Sequence, residues 1–293
     1  MIGYAITKDA LEKLIEGEVP GWLMKAAERT AQFKKDGYYS EKQGIWSAVK
    51  PVYMRLQGES KCAYCERKLE SENFGKGEQD VEHFRPKKNV RPWKLPKSLE
   101  KLGVTLTSPD PADGGYHLLA YQLFNYCAAC KPCNSALKSD CFPIAGKYQT
   151  QGSDPEKLTN EKPLLIYPIG GFDDDPEELI RFHGISPQAV AKSGHKLHRA
   201  LVTIEFFKLD DEAQRKNLMR ERAFIIVSLF PQLEKAAASG PDVNEARDFV
   251  RLCTAASAPH ANCARSLLHL FQTDQVEAKA VTDKANQFLN SIS

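Results

Sequence analysis

No apolar run in this 293-residue chain reaches the roughly 18 residues that a membrane-spanning helix needs. The first residues, MIGYAITKDALEK, also lack the unbroken apolar stretch of a secretory leader, because Asp9 and Glu12 interrupt it. A cytoplasmic protein with no membrane contact is the expectation. Charge of one sign is missing as well: the formal net charge is only +2. Any nucleic-acid contact must therefore come from local clusters of basic residues rather than from the surface as a whole. No internal repeat is present that would make a solenoid. The length falls between one large domain and two ordinary ones, which suits a catalytic unit with appended helical parts.

What the chain does have is eight cysteines, too many to ignore and wrongly placed for a disulfide framework in a reducing compartment. Two pairs carry metal-ligand spacing, Cys62/Cys65 in KCAYCER and Cys130/Cys133 in ACKPCN. Four thiolates suit tetrahedral Zn²⁺ in a site closed to substrate, which makes such a site structural. Two pairs so far apart in sequence cannot form one compact finger, but two knuckles clamping an insertion fit. A thiol oxidoreductase would need only one pair and leaves the other unexplained. Cys127 and Cys141 read as small buried side chains.

Residues 1–57 are expected to be helical. Asp9 is the expected cap of ALEKLIEGE, Pro20 suits the first turn of the next helix, Gly37 stops it, and Pro51 kinks or restarts the third. Residues 58–148 hold the dense chemistry. Val81–Phe84 reads as a short buried strand ended by Pro86. The stretch 85–101, RPKKNVRPWKLPKSLEK, has seven Lys or Arg against one Glu and three prolines, so it reads as a basic surface loop suited to a phosphate backbone. Residues 149–293 are expected to be mainly helical after a polar linker, with PLLIYP as a strand candidate and LIRFHGISPQAV as a strand and turn. The Asp173–Asp175 run reads as a helix start rather than a metal cluster. A long helix is expected to begin at Asp210 or Asp211 and to kink at Pro231. His195, His198, His260 and His269 lack ligand-spaced neighbours and read as structural or surface residues.

Between the knuckles lies Asp80-Val81-Glu82-His83-Phe84, and Asn125 and Asn134 flank the second pair. This pattern resembles the HNH endonuclease superfamily, whose ββα-metal motif joins two strands and a helix around one divalent cation. The resemblance implies an α+β, mostly helical fold, with a small ββα-metal HNH core and a structural four-cysteine zinc site between helical regions. It implies His83 as general base and Glu82 and Asn134 as ligands of Mg²⁺ or Mn²⁺. The final His of the family name is replaced here by Asn134, a variant the family also uses. Asn125 would pin the loop that orients His83. Arg85, Lys87, Lys88, Arg91 and Lys138 would contact phosphates of DNA, with RNA not excluded. The letters EHFRPK, LAY with Asn125, ACKPCN and FP at Phe142-Pro143 further resemble the nuclease subunits of Septu-type and retron anti-phage systems. That implies an ABC-type ATPase partner, and two-strand cleavage would favour a homodimer. The competing reading is a non-catalytic, zinc-stabilised nucleic-acid-binding or adaptor protein, against which stands the Glu82-His83 pair. Taken alone, Asn134 reads as a helix cap and Asn125 as a turn residue.

Overall fold

A computed structural model describes residues 1–71 and 73–292, with the side chain of residue 76 left aside. The chain is mostly helical, and its two sheets among the described residues are two-stranded and antiparallel. Helix α1 (Lys8–Glu18) buries Leu11 and Ile15, an i, i+4 pair on one face. Its cap is Thr7, whose hydroxyl accepts from the Ala10 N–H at 3.3 Å. Asp9, expected as the cap, lies in the first turn instead, where its charge still meets the positive end of the dipole. Helix α2 (Trp22–Asp36) begins two residues after Pro20, and the Glu16 carboxylate of α1 accepts from the N–H groups of Gly21 and Leu23, both at 2.7 Å. One side chain thus caps the next helix across the turn. Gly37 closes α2 at φ 79°, a left-handed conformation in which its N–H reaches the Phe33 carbonyl. Pro51 sits in the first turn of α3 (Lys50–Leu56), after a 3₁₀ turn at Trp46–Val49, so it restarts the chain as a helix.

Strand β1 (Gln79–His83) pairs antiparallel with β2 (Tyr126–Cys130), in a register that sets Gln79 opposite Cys130 and His83 opposite Tyr126. A seven-residue helix of the wide π type, Pro132–Lys138, follows β2 directly. The intervening excursion carries the basic loop, which contains the single-turn helix α4 (Lys97–Glu100) and is stitched down where the Arg91 N–H donates to the Asp140 carbonyl at 2.9 Å. Residues 164–169 are buried and bend at Leu164 and Leu165; among the described residues PLLIYP forms no strand, and this stretch makes isolated bridges from Pro163 to Ile144 and from Ile169 to Tyr4.

Asp175 caps α5 (Pro176–Leu179), and Asp173 and Asp174 hold the Arg199 guanidinium at 2.5 and 2.7 Å. The acidic run is thus a helix start and an ion pair. A hairpin of β3 (Ile180–His183) and β4 (Ser186–Ala189) leads into α6 (Gly194–Phe206). Helices α7 (Glu212–Ala237), α8 (Val243–Thr254), α9 (Ala261–Thr273) and α10 (Gln275–Ile292) complete the chain. Asp211 caps α7 through the Gln214 N–H at 3.0 Å. The departure from helical φ/ψ within α7 lies at Arg215, not at Pro231 where a kink is expected.

The apolar core does not respect boundaries at residues 57 and 148. One cluster runs from Met1 through Trp22, Tyr53, Tyr126 and Phe142 to Phe207 and Leu218, so residues 149–209 pack on the β1–β2 unit. Full burial of a side chain such as Phe33 contributes about 1.5–3 kcal/mol. A second cluster, with Ile226, Leu229, Leu267, Phe271 and Val281, belongs to α7, α9 and α10 and the hairpin's Phe182.

Candidate metal knuckle and adjoining cleft

The turn after α3 and the end of β2 bring Cys62, Cys65, Cys130 and Cys133 together, all buried, with their sulfurs within 4.8 Å of one another. Cys65 and Cys130 sulfurs are 3.8 Å apart. That is no disulfide, and it equals the edge of about 3.8 Å expected for a tetrahedron with Zn–S bonds near 2.3 Å. The cluster is thus compatible with a structural zinc site. The first knuckle is bolted to β2 by the buried Gln57 amide, which donates to the Lys61 and Ala128 carbonyls and accepts from the Ala128 N–H at 2.7 Å. Within the turn Glu66 adopts φ 60°, and its buried carboxylate meets the Met1 amino group at 2.7 Å and Lys61 Nζ at 3.3 Å.

The irregular first turn of α7 aims Arg215 at this cluster. Its guanidinium nitrogens lie 3.7 and 3.8 Å from Cys133 Sγ, while Nη1 donates to the Phe207 carbonyl at 3.0 Å. Zn²⁺ with four thiolates carries a net charge of −2, which a guanidinium offsets. Arg215→Ala is therefore expected to keep the fold and to hasten zinc transfer to a chromogenic chelator, with affinity lower by about 10–100-fold. Unchanged release would remove Arg215 from the metal's surroundings.

Beside the β1–β2 unit lies a cleft of about 270 Å³ lined by Trp46, Glu82, His83, Lys87, Asn134 and Asp140, among others. The His83 ring is held edge-to-face between Trp46 and Tyr126, at centroid distances of 4.9 and 5.0 Å. Its Nε2 lies 3.1 Å from the Ala120 carbonyl. A carbonyl only accepts, so Nε2 carries the proton and Nδ1 keeps its lone pair. Burial, then the Lys87 ammonium, holds the imidazole well below its usual range. Trp46 depends on Gly44, since a Cβ there would fall 1.7 Å from the indole ring.

Glu82 is buried, and burial raises its pKa against the opposing pull of Lys138. Lys138 Nζ lies 2.6 Å from Glu82 Oε1 and donates to the His83 carbonyl at 3.0 Å. Asn134 donates from Nδ2 to Asp80 Oδ2 at 3.0 Å, which leaves its amide oxygen free of that contact. Asp80 also holds Lys131 at 2.7 Å. Asn125 is fully buried: Oδ1 accepts from the Arg85 N–H at 2.8 Å, and Nδ2 donates to the Arg85 and Leu119 carbonyls at 3.0 and 3.1 Å. It ties the chain after β1 to the turn before β2.

The basic residues separate into two groups. Lys88 and Arg91 are exposed, and Lys87 is half-buried with its ammonium 4.3 Å above the Trp46 ring. Arg85 and Lys138 point inward, so their expected outward role at phosphates is corrected. Arg85 pairs with the buried Glu161 at 2.7 Å, a carboxylate that also accepts from Tyr116 Oη and the Gln149 N–H. Arg85→Ala is expected to lower unfolding free energy in urea by about 3–5 kcal/mol, because it strands a buried carboxylate. A loss of nucleic-acid affinity at unchanged stability would return Arg85 to the surface role.

Trp46, Asp80 and Asp140 were not among the residues expected at the site. Strand alternation places Asp80 on the same side as Glu82 and signals it in retrospect, whereas nothing local to Trp46 marks it. Comparison of the chain with protein-family models, with curated proteins and with solved structures gives no match.

Proposed function

We propose that this chain is a metal-dependent endonuclease that hydrolyses phosphodiester bonds in DNA, of the HNH type. One observation carries the reading: His83, its Nδ1 lone pair free by virtue of the Ala120 contact, shares a cleft with the oxygen donors Glu82 and Asn134. A strand–strand–helix unit beside a four-cysteine cluster presents that cleft. Zinc suits the thiolates. Apart from His83, the cleft offers a cation oxygen donors, from Glu82, Asn134, Asp140 and the hydroxyls of Ser135 and Ser139, a donor set that fits Mg²⁺ or Mn²⁺.

In this reading His83 Nδ1 takes the proton of a water attacking phosphorus, and the Ala120 carbonyl steadies the imidazolium that forms. Tyr126 and Trp46 fix the ring plane, and Asn125 fixes the backbone that follows. Glu82 and Asn134 would hold the divalent cation, which supplies charge stabilisation for the phosphoryl oxygens and the leaving group. Lys87, Lys88 and Arg91 line the approach of the phosphate backbone. Asp80 orients the Asn134 amide. An anti-phage role beside an ABC-type ATPase rests on the resemblance of the EHFRPK and ACKPCN runs alone. Nicking of supercoiled plasmid in Mg²⁺ or Mn²⁺, with wild type beside His83→Ala, tests the activity; equal cleavage by the two proteins would defeat it. The reading as a passive adaptor draws on the buried Lys138–Glu82 pair, which occupies a carboxylate that a nuclease needs.

A further inference from the structure

Lys138 is the last residue of the helix Pro132–Lys138 and is fully buried. Its ammonium has two partners, both from β1: Glu82 Oε1 at 2.6 Å and the His83 carbonyl at 3.0 Å. The side chains in and under the cleft balance to no net charge, with Glu82 and Asp140 against Lys87 and Lys138. A dication reaching Glu82 would share that carboxylate with an ammonium that burial prevents from swinging into water. Two cations on one carboxylate repel, and in a water-poor site the repulsion is poorly screened.

We propose that Lys138 is a built-in cation that holds Glu82 in place of metal, so that divalent binding at Glu82 and Asn134 works against it. The pair keeps a buried carboxylate compensated when no metal is present, which stabilises the β1–β2 unit at the cost of metal affinity. It also confines tight cation binding to conditions that add negative charge to the cleft. A phosphodiester does so, so cation and nucleic acid should bind cooperatively. This inference rests on the nuclease reading for the presence of a cation, and its test reads binding rather than cleavage.

Mn²⁺ binding is measured by electron paramagnetic resonance on zinc-loaded wild type and on Lys138→Met, with thermal melts at each Mn²⁺ concentration. Lys138→Met is expected to bind Mn²⁺ at least about 10-fold more tightly than wild type, a factor equivalent to about 1.4 kcal/mol. It is also expected to melt lower without Mn²⁺ and to gain more from it, because the dication replaces the lost ammonium. Equal or weaker Mn²⁺ binding by a folded Lys138→Met overturns the proposal and leaves the nuclease reading standing. Absence of Mn²⁺ binding from both proteins overturns both. Should Lys138→Met fail to fold, the double variant Glu82→Gln/Lys138→Met, which removes both buried charges, carries the test: it should fold and lose Mn²⁺ binding. Mn²⁺ binding equal to wild type by that variant would overturn the proposal.

Discussion

Cys133→Ser is expected to lower zinc content from about one ion per chain to near zero and to depress the melting temperature by about 10–20 °C. A structural zinc site in a small peptide is worth on the order of 10 kcal/mol. Part of that stabilisation is duplicated here, because Gln57 and the surrounding apolar core also hold the first knuckle to β2. A loss on the order of 5 kcal/mol is the consequence, and about 2–4 °C per kcal/mol converts it to the shift above. The damage should reach the cleft, since Cys130 ends β2 and Cys133 lies in the helix that carries Asn134 and Lys138. Calorimetry and metal analysis check the prediction. A melting temperature equal to wild type, with thiols that cycle through a disulfide, would instead favour a redox dithiol.

His83→Ala is expected to keep the wild-type fold and zinc content while the single-turnover cleavage rate falls about 10²–10⁴-fold, the range for removal of a general base. Its ring touches Trp46, Tyr126 and the Ala120 carbonyl, while the strand that carries it is held by its own pairing with β2. The pH dependence follows from the direction of the shift. Burial and Lys87 lower the folded pKa, so the imidazole is neutral and competent at pH 7 and becomes protonated only well below its usual value. The acid limb of kcat/KM should therefore fall below about pH 6.5, the ordinary histidine value. The sign for stability is the same: the neutral form is preferred in the fold, so stability is lost as pH falls below the unfolded value. An acid limb above pH 7 would point to a different base.

Both knuckles were legible because C-x-x-C spacing is local: the two thiolates of a pair belong to one turn wherever the chain goes next. A strand around Val81 was legible for the same reason, although it runs Gln79–His83, starting two residues earlier than expected and ending before Phe84. What stayed illegible depends on partners distant in sequence. Arg85 reads as surface charge until Glu161, 76 residues away, comes to meet it, and Lys138 does so until β1 brings Glu82 against it. Trp46 reaches His83 across the 3₁₀ turn before α3, a contact that no spacing rule announces. At α1 the competition was between two good caps, and Thr7 prevails over Asp9 because its extended backbone, φ −77° and ψ 157°, puts the hydroxyl on the Ala10 N–H. Within α7 the backbone leaves helical φ/ψ at Arg215, which no residue pattern announces and where contact with Cys133 coincides with the change.

The central claim, hydrolysis of a phosphodiester by His83 in a cation-dependent cleft, is tested most directly by one plasmid assay. Zinc-loaded wild type and His83→Ala are incubated with supercoiled DNA in Mn²⁺ and, separately, in EDTA at a concentration that leaves the zinc in place. Relaxed circles are expected from wild type in Mn²⁺ and from no other lane. Relaxed circles from His83→Ala at the wild-type rate, or from wild type in EDTA, would contradict it.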